Sequence, residues 1–147
     1  MNETQPAQTL LDLNLTHGGD PDRARRIIRR FDGLEFDFVH LPLYRTEYLA
    51  SSIHAPEQAR WFRESQLDFT ALNPLRKAAG QAGAELVCTA YDRDLLDRYR
   101  EEFSPSPVFL DPGDLTFHRL LKQLENASSP VWLGLCPASQ ELSSNLL

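Results

Sequence analysis

The chain has 147 residues with a formal charge of −6, 41% hydrophobic and 24% charged. That is enough for one domain with a sizeable core. The acidic balance excludes a basic nucleic-acid footprint, and no apolar run approaches the roughly 18 residues of a membrane helix. Residues 1–9 are polar and read as a flexible lead-in without a secretory signal. The domain then runs over 10–147. The first apolar run, Leu10–Leu15, is a strand, and Thr16–Gly19 a glycine-bearing turn. Asp20 suits a helix N-cap and Pro21 the first helical position. Ala24, Ile27, Ile28 and Phe31 follow at helical spacing, Gly33 ends the pattern, and the arginines between them read as a solvated face. The second strand is Phe36–Leu41, leaving His40 at its end.

Pro42–Phe69 is too long for a plain strand-to-helix loop. It carries Tyr44, Tyr48, Trp61 and Phe62, and a short helix is predicted around Glu57–Glu64. Asn73 and Pro74 repeat the cap-plus-proline start of a helix with Leu75, Ala78, Ala79 and Ala82 on one face and Gly83 at its end. Ala84–Thr89 is the third strand. A helix with Leu95, Leu96, Tyr99 and Phe103 follows. Val108–Leu110 is the fourth strand. Asp114 can cap a helix burying Phe117, Leu120, Leu121 and Leu124. Val131–Leu135 is the fifth strand, and Ser139 starts a last helical turn.

Five strands alternating with helices predict a parallel α/β domain, whose chemistry belongs at the carboxyl ends of the strands. Each strand end offers a candidate with a plain structural reading beside it. His17 can bind a substrate oxygen or move a proton, or it can simply sit in a tight turn. His40 is a second such group, or a histidine at the sheet rim. Asp92 can hold a sugar hydroxyl or cap a helix. Asp111 can meet a cation or a diol, or serve a turn. Cys88 and Cys136 form no disulfide framework, suit a reducing cytoplasm and read as small core residues. All but two of the 15 basic residues are arginines. The two lysines, Lys77 and Lys122, fall within predicted helices, which leaves no lysine at a strand end. There is no nucleophile elbow, P-loop, dinucleotide fingerprint or HExxH.

Taken in order, the strand ends resemble the sialic acid (N-acetylneuraminate) synthase family. Leu11-Asp12-Leu13-Asn14-Leu15-Thr16-His17-Gly18-Gly19-Asp20 is similar to that family's first-strand motif, with Asp12 where the family has Glu and Thr16 where it has Asn. Tyr44-Arg45-Thr46-Glu47-Tyr48-Leu49 resembles its basic-acidic-Leu stretch. Cys88-Thr89-Ala90-Tyr91-Asp92 resembles Ser-Thr-Pro-Phe-Asp. Asp111-Pro112-Gly113-Asp114 resembles Ala-Ser-Gly-Asp, and Leu135-Cys136-Pro137-Ala138-Ser139 the motif after strand five.

The resemblance implies a partial (β/α)8 TIM barrel of about five βα units with parallel strands. It implies carbohydrate biosynthesis of the kind in which phosphoenolpyruvate is condensed with an N-acetylhexosamine. Asp12 and His17 would be catalytic. His40, Arg45, Glu47, Thr89, Asp92, Asp111, Asp114 and Ser139 would bind substrate. The two lysines that serve phosphoenolpyruvate in the family are absent, as is the second half of the barrel with its metal-binding histidines. The implied divalent metal is therefore a property of the family and not of this chain. Little or no synthase activity is expected from the chain alone, and a non-catalytic half-barrel module is the alternative. Expected partners are a small sugar or sugar acid, and a second copy or another polypeptide supplying the missing half. No nucleic acid or membrane is expected, and the cytoplasm is the expected location.

Overall fold

A computed structural model describes residues 7–111, 121–122, 124 and 129–134. Five strands run in sequence order across one parallel sheet: β1 (Leu10–Asp12), β2 (Phe38–Leu43), β3 (Glu85–Ala90), β4 (Val108–Leu110) and β5 (Val131–Leu133). Helices α1 (Pro21–Arg30), α4 (Leu72–Gln81) and α5 (Arg93–Phe103) connect the first four strands. Two further helices, α2 (Thr46–Leu49) and α3 (Pro56–Ser65), fill the long segment after β2. The alternation predicted the parallel α/β sheet, and its curl into a half-barrel is what the family resemblance implied. Among the described residues no helix is long and apolar enough to cross a membrane.

Local chemistry explains most boundaries. Asp20 caps α1 by accepting the Asp22 N–H at 2.8 Å, with Pro21 in the first turn. Asp92 caps α5 through the Leu95 N–H at 3.0 Å. Gly83, at φ 81°, stops α4 in a left-handed turn open to glycine at little cost. Asn73 does not cap α4. A 3-10 turn, Phe69–Ala71, runs straight into that helix, and Asp68 caps the turn through the Thr70 N–H.

Two strand boundaries differ from expectation for a common reason. β1 stops at Asp12 instead of Leu15, and β2 runs to Leu43 instead of Leu41. His40 is therefore a mid-strand residue. Proline 42 looks like a strand terminator because it has no N–H. In a parallel ladder, however, successive residues point their backbone groups to opposite neighbours. The His40 carbonyl accepts the Leu13 N–H at 3.1 Å on one side, and the Leu43 carbonyl accepts the Tyr91 N–H on the other. Pro42 thus faces the β1 side, beyond the point where β1 has ended. The Leu13 carbonyl, which a residue 42 N–H would have met, is taken by the Thr16 N–H at 3.0 Å and the Thr16 hydroxyl at 2.6 Å. The missing donor costs nothing, so proline is tolerated inside the strand.

Alternation gives the sheet two unlike faces. Val39, Leu41 and Leu43 of β2, Leu86, Cys88 and Ala90 of β3, and Val108 and Leu110 of β4 point outward to the helices. They pack with Ala24 and Ile28 of α1, Leu75, Ala78 and Ala79 of α4, and Leu96, Tyr99 and Phe103 of α5. Burying each of the larger side chains contributes roughly 1.5–3 kcal/mol. Of the predicted α1 stripe, Ala24 and Ile28 are buried, while Phe31 sits exposed at the C-cap. Phe38, His40, Val87, Thr89, Phe109 and Trp132 occupy the opposite, concave face. There the rings of Phe38 and Trp132 meet edge to face at 4.3 Å. They stand three strands apart, a separation of roughly 14 Å in a flat sheet, so the contact measures the curl. The predicted fourth long helix is described at Leu121, Lys122 and Leu124, all helical, with Leu121 and Leu124 packed against the core. Asp114, Phe117, Leu120, Leu135, Cys136 and Ser139 lie outside the described residues.

Candidate functional site

On the concave face three polar side chains from three strands join in a row. Asp12 ends β1, and its register partner on β2 is His40. Oδ1 of Asp12 lies 2.9 Å from His40 Nδ1, and His40 Nε2 lies 2.8 Å from the Thr89 hydroxyl. A carboxylate only accepts, so Nδ1 carries the ring proton and donates to Asp12. With one ring proton, Nε2 then accepts the Thr89 O–H. The Asn14 N–H also donates to Oδ1, at 2.9 Å, in a turn that holds Asn14 at φ 42°. Oδ2 makes no hydrogen bond among the described residues. The burial runs in one direction: the Asp12 side chain is 50% exposed and that of His40 10%, while Thr89 is fully buried. The accessible end of the row is therefore a carboxylate oxygen held in place from behind. Thr89 anchors the ring from its buried end. Phe109 lies against His40, with ring centroids 5.1 Å apart.

Two residues further along β3 and β4 the same face continues. The Tyr91 hydroxyl donates to Asp111, so a second carboxylate stands on the rim. Arg45 lies just past β2 and is engaged by two aspartates. Its Nε and Nη2 donate to Asp92 at 3.2 and 2.9 Å, and Nη2 also donates to Asp94 at 2.9 Å. The guanidinium packs 4.6 Å from the Tyr48 ring centre. Hydrogen bonds from the arginine to Asp92 and then Asp94 hold its proton still more firmly than usual. Asp92 thus both caps α5 and pairs with Arg45. Glu47 is exposed on α2, in a hollow with Thr46, Ile53 and Arg63 and away from the Asp12 row.

His17 is 1% exposed, in the turn after β1. Its Nδ1 accepts the Gly19 N–H at 3.1 Å, while Nε2 is buried without a partner. No hydrogen bond links it to the Asp12 row. Burial holds its pKa below the ordinary 6.5, and the Arg23 charge adds to this against the pull of Asn14 and Asp20. The turn is closed by α3. A Cβ placed on Gly19 would stand 2.2 Å from the Glu64 carbonyl oxygen, so only glycine fits there.

Sequence reasoning thus named Asp12, His40 and Thr89 among the candidates, pairing Asp12 with His17, without seeing that the three are bonded in a row. It missed the aromatic share of the concave face, Phe38, Phe109 and Trp132. The signal was the period-two alternation in each strand. Among the described residues no three His, Cys, Asp or Glu side chains converge as metal ligands. That part of the chain does not fit the divalent metal that the resemblance implies.

The fold is similar to that of the N-acetylneuraminic acid (sialic acid) synthetase of Leptospira borgpetersenii, solved with citrate, at a TM-score of 0.83 and 16% identity. The match covers 97% of this chain and 50% of that one. It is also similar to the spore coat polysaccharide biosynthesis protein SpsE of Bacillus subtilis, at a TM-score of 0.70 and 15% identity, over 89% of this chain and 36% of that one. In sequence it is 24% identical over 130 residues to an uncharacterized protein of Methanocaldococcus jannaschii, covering 88% of this chain and 38% of that protein. No family model matches the chain. The chain thus spans half or less of the length of these proteins, and what it shares with the solved ones is the fold.

Proposed function

We propose that this chain is a diverged, sialic-acid-synthase-like half-barrel of carbohydrate biosynthesis that handles a sugar or sugar acid but does not by itself condense phosphoenolpyruvate with an N-acetylhexosamine. The observation that carries this reading is the charge of the concave face. None of its strand residues is a lysine or arginine, and Arg45, the cation nearest in sequence, is engaged by two aspartates. Phosphoenolpyruvate brings a phosphate and a carboxylate, which need fixed positive charge at the strand ends. Asp12 and Asp111 supply the opposite sign. The Asp12 carboxylate, with one oxygen fixed by His40 and Asn14 and the other open, suits a hydroxyl donor, and Phe109 and Trp132 suit the apolar face of a sugar ring. We place the protein in the cytoplasm, where a thiol such as Cys88 stays reduced.

The test is direct. Purified chain with phosphoenolpyruvate, N-acetylmannosamine and manganese should release no phosphate above background, and His40→Lys alone should not create turnover. Metal-dependent release that His17→Ala abolishes would overturn the reading and make the chain a minimal synthase.

The outer strands support a second role, as a docking module. Among the described residues β1 and β5 each have one strand neighbour, and Leu10 and Leu133 on them are 39% and 46% exposed. Unpaired edges of this kind invite further strands, from a second copy or from a polypeptide resembling the other half of the barrel. Sedimentation should show self-association at tens of micromolar, an order-of-magnitude choice. A compact monomer there would remove this role.

A further inference from the structure

On the convex side α1 and α4 pack side by side and leave a groove of about 470 Å³. Its walls are two polar stripes, each at one-turn spacing. Arg25 and Arg29 come from α1, and Asn73, Lys77 and Gln81 from α4. The three charged members are donors only, and the two amides can donate as well. No carboxylate lines the groove. Four other hollows on the described surface each include one: Glu35 and Asp37, Asp97 and Glu101, Asp68, or Glu47. In a chain of net charge −6 this concentration runs against the average. Arg25 is paired with Asp22, whereas Arg29 and Lys77 have no hydrogen-bond or ion-pair partner among the described residues. Like charges one turn apart on a helix repel, and a third cation faces them from α4. Asp22 offsets part of that repulsion at Arg25, but no described carboxylate pairs with Arg29 or Lys77.

We propose that the α1–α4 groove binds the phosphate group of a small phosphorylated metabolite, at a site separate from the concave face. Guanidinium forks favour oxyanions with two acceptor oxygens, and phosphate and its esters present them. The groove is larger than one phosphate group, so it has room for the rest of an ester, which Asn73 and Gln81 can contact as donor or acceptor. The inference does not depend on the function proposed for the concave face.

The test uses inorganic pyrophosphate, titrated by calorimetry at constant ionic strength against sodium chloride. Binding should weaken roughly tenfold to a hundredfold in the double variant Arg29→Gln, Lys77→Gln, which loses two charge-assisted contacts. Both side chains are exposed, so the variant should keep the fold, and an unchanged far-ultraviolet spectrum checks this. A hexose 6-phosphate and a nucleoside diphosphate form two further arms. Tighter binding of the first identifies a sugar phosphate, and of the second a nucleotide. No binding above the chloride control by any of the three, or equal binding by wild type and double variant, overturns the proposal.

Discussion

The two ends of the sheet use the same residue for opposite purposes. At the amino end Gly33 and Gly83 sit at φ 94° and 81° beside a hollow of about 700 Å³, with nothing within 4 Å of where a Cβ would stand. At the carboxyl end Gly19 has a similar φ, 76°, but the α3 backbone fills the space a side chain would need. The amino-end glycines only turn the chain out of a helix. The carboxyl-end glycine lets a second segment close over the first. The closed turn at that end holds the buried histidine, and the ion pair and the fixed carboxylate stand on the same rim. Helix stops need freedom of backbone alone, whereas a site needs enclosure as well.

The largest expected effect comes from Gly19→Ala. Strain at positive φ and a clash with immovable backbone should together cost about 3–5 kcal/mol in denaturant unfolding. A loss near 1 kcal/mol would mean that α3 moves aside and the carboxyl end is not closed. Next is Asp92→Ala, which removes a helix cap and the inner partner of Arg45. About 1–2 kcal/mol should be lost, and Asp92→Asn should recover part of it by keeping the cap.

The third effect is a dependence on pH. The His17 pKa is lowered in the folded state, so its neutral form is the folded form. The corresponding stability is present above pH 6.5 and is lost as pH falls through the lower folded value. From this group the slope should reach at most about 1.4 kcal/mol per pH unit. His17→Gln should flatten it, and an unchanged slope would show that the ring charges freely. The smallest effect sharpens the contrast at the other end. Gly33→Ala meets no atoms and should cost only about 1 kcal/mol of backbone strain.

Much of the fold was legible because its signals are local. The caps Asp20 and Asp92, the stop at Gly83 and the apolar runs of β3 and β4 each lie within a few residues of what they determine. Pro42 shows where such reading fails. Whether a missing N–H matters depends on which neighbour that position faces and whether the neighbour is still there, a fact written in β1. The candidate site divides the same way. Asp12, His40 and Thr89 are each legible as polar residues ending or interrupting an apolar run. Their bonding needs the register between strands 28 and 49 residues apart in sequence. Arg45 was legible as a cation near β2, but its capture by Asp92 and Asp94 depends on how the segment after β2 lies against α5.

The contact between Phe38 and Trp132 also gives the half-barrel an optical gauge. The chain has two tryptophans. Trp61, 52% exposed on α3, emits in a watery setting and is open to collisional quenchers. Trp132 emits from the inside of the curve, with a phenylalanine from three strands away against its ring. Whatever opens, flattens or fills that curve must change the second signal before it touches the first. The state of the sheet can therefore be followed by the colour of its own light.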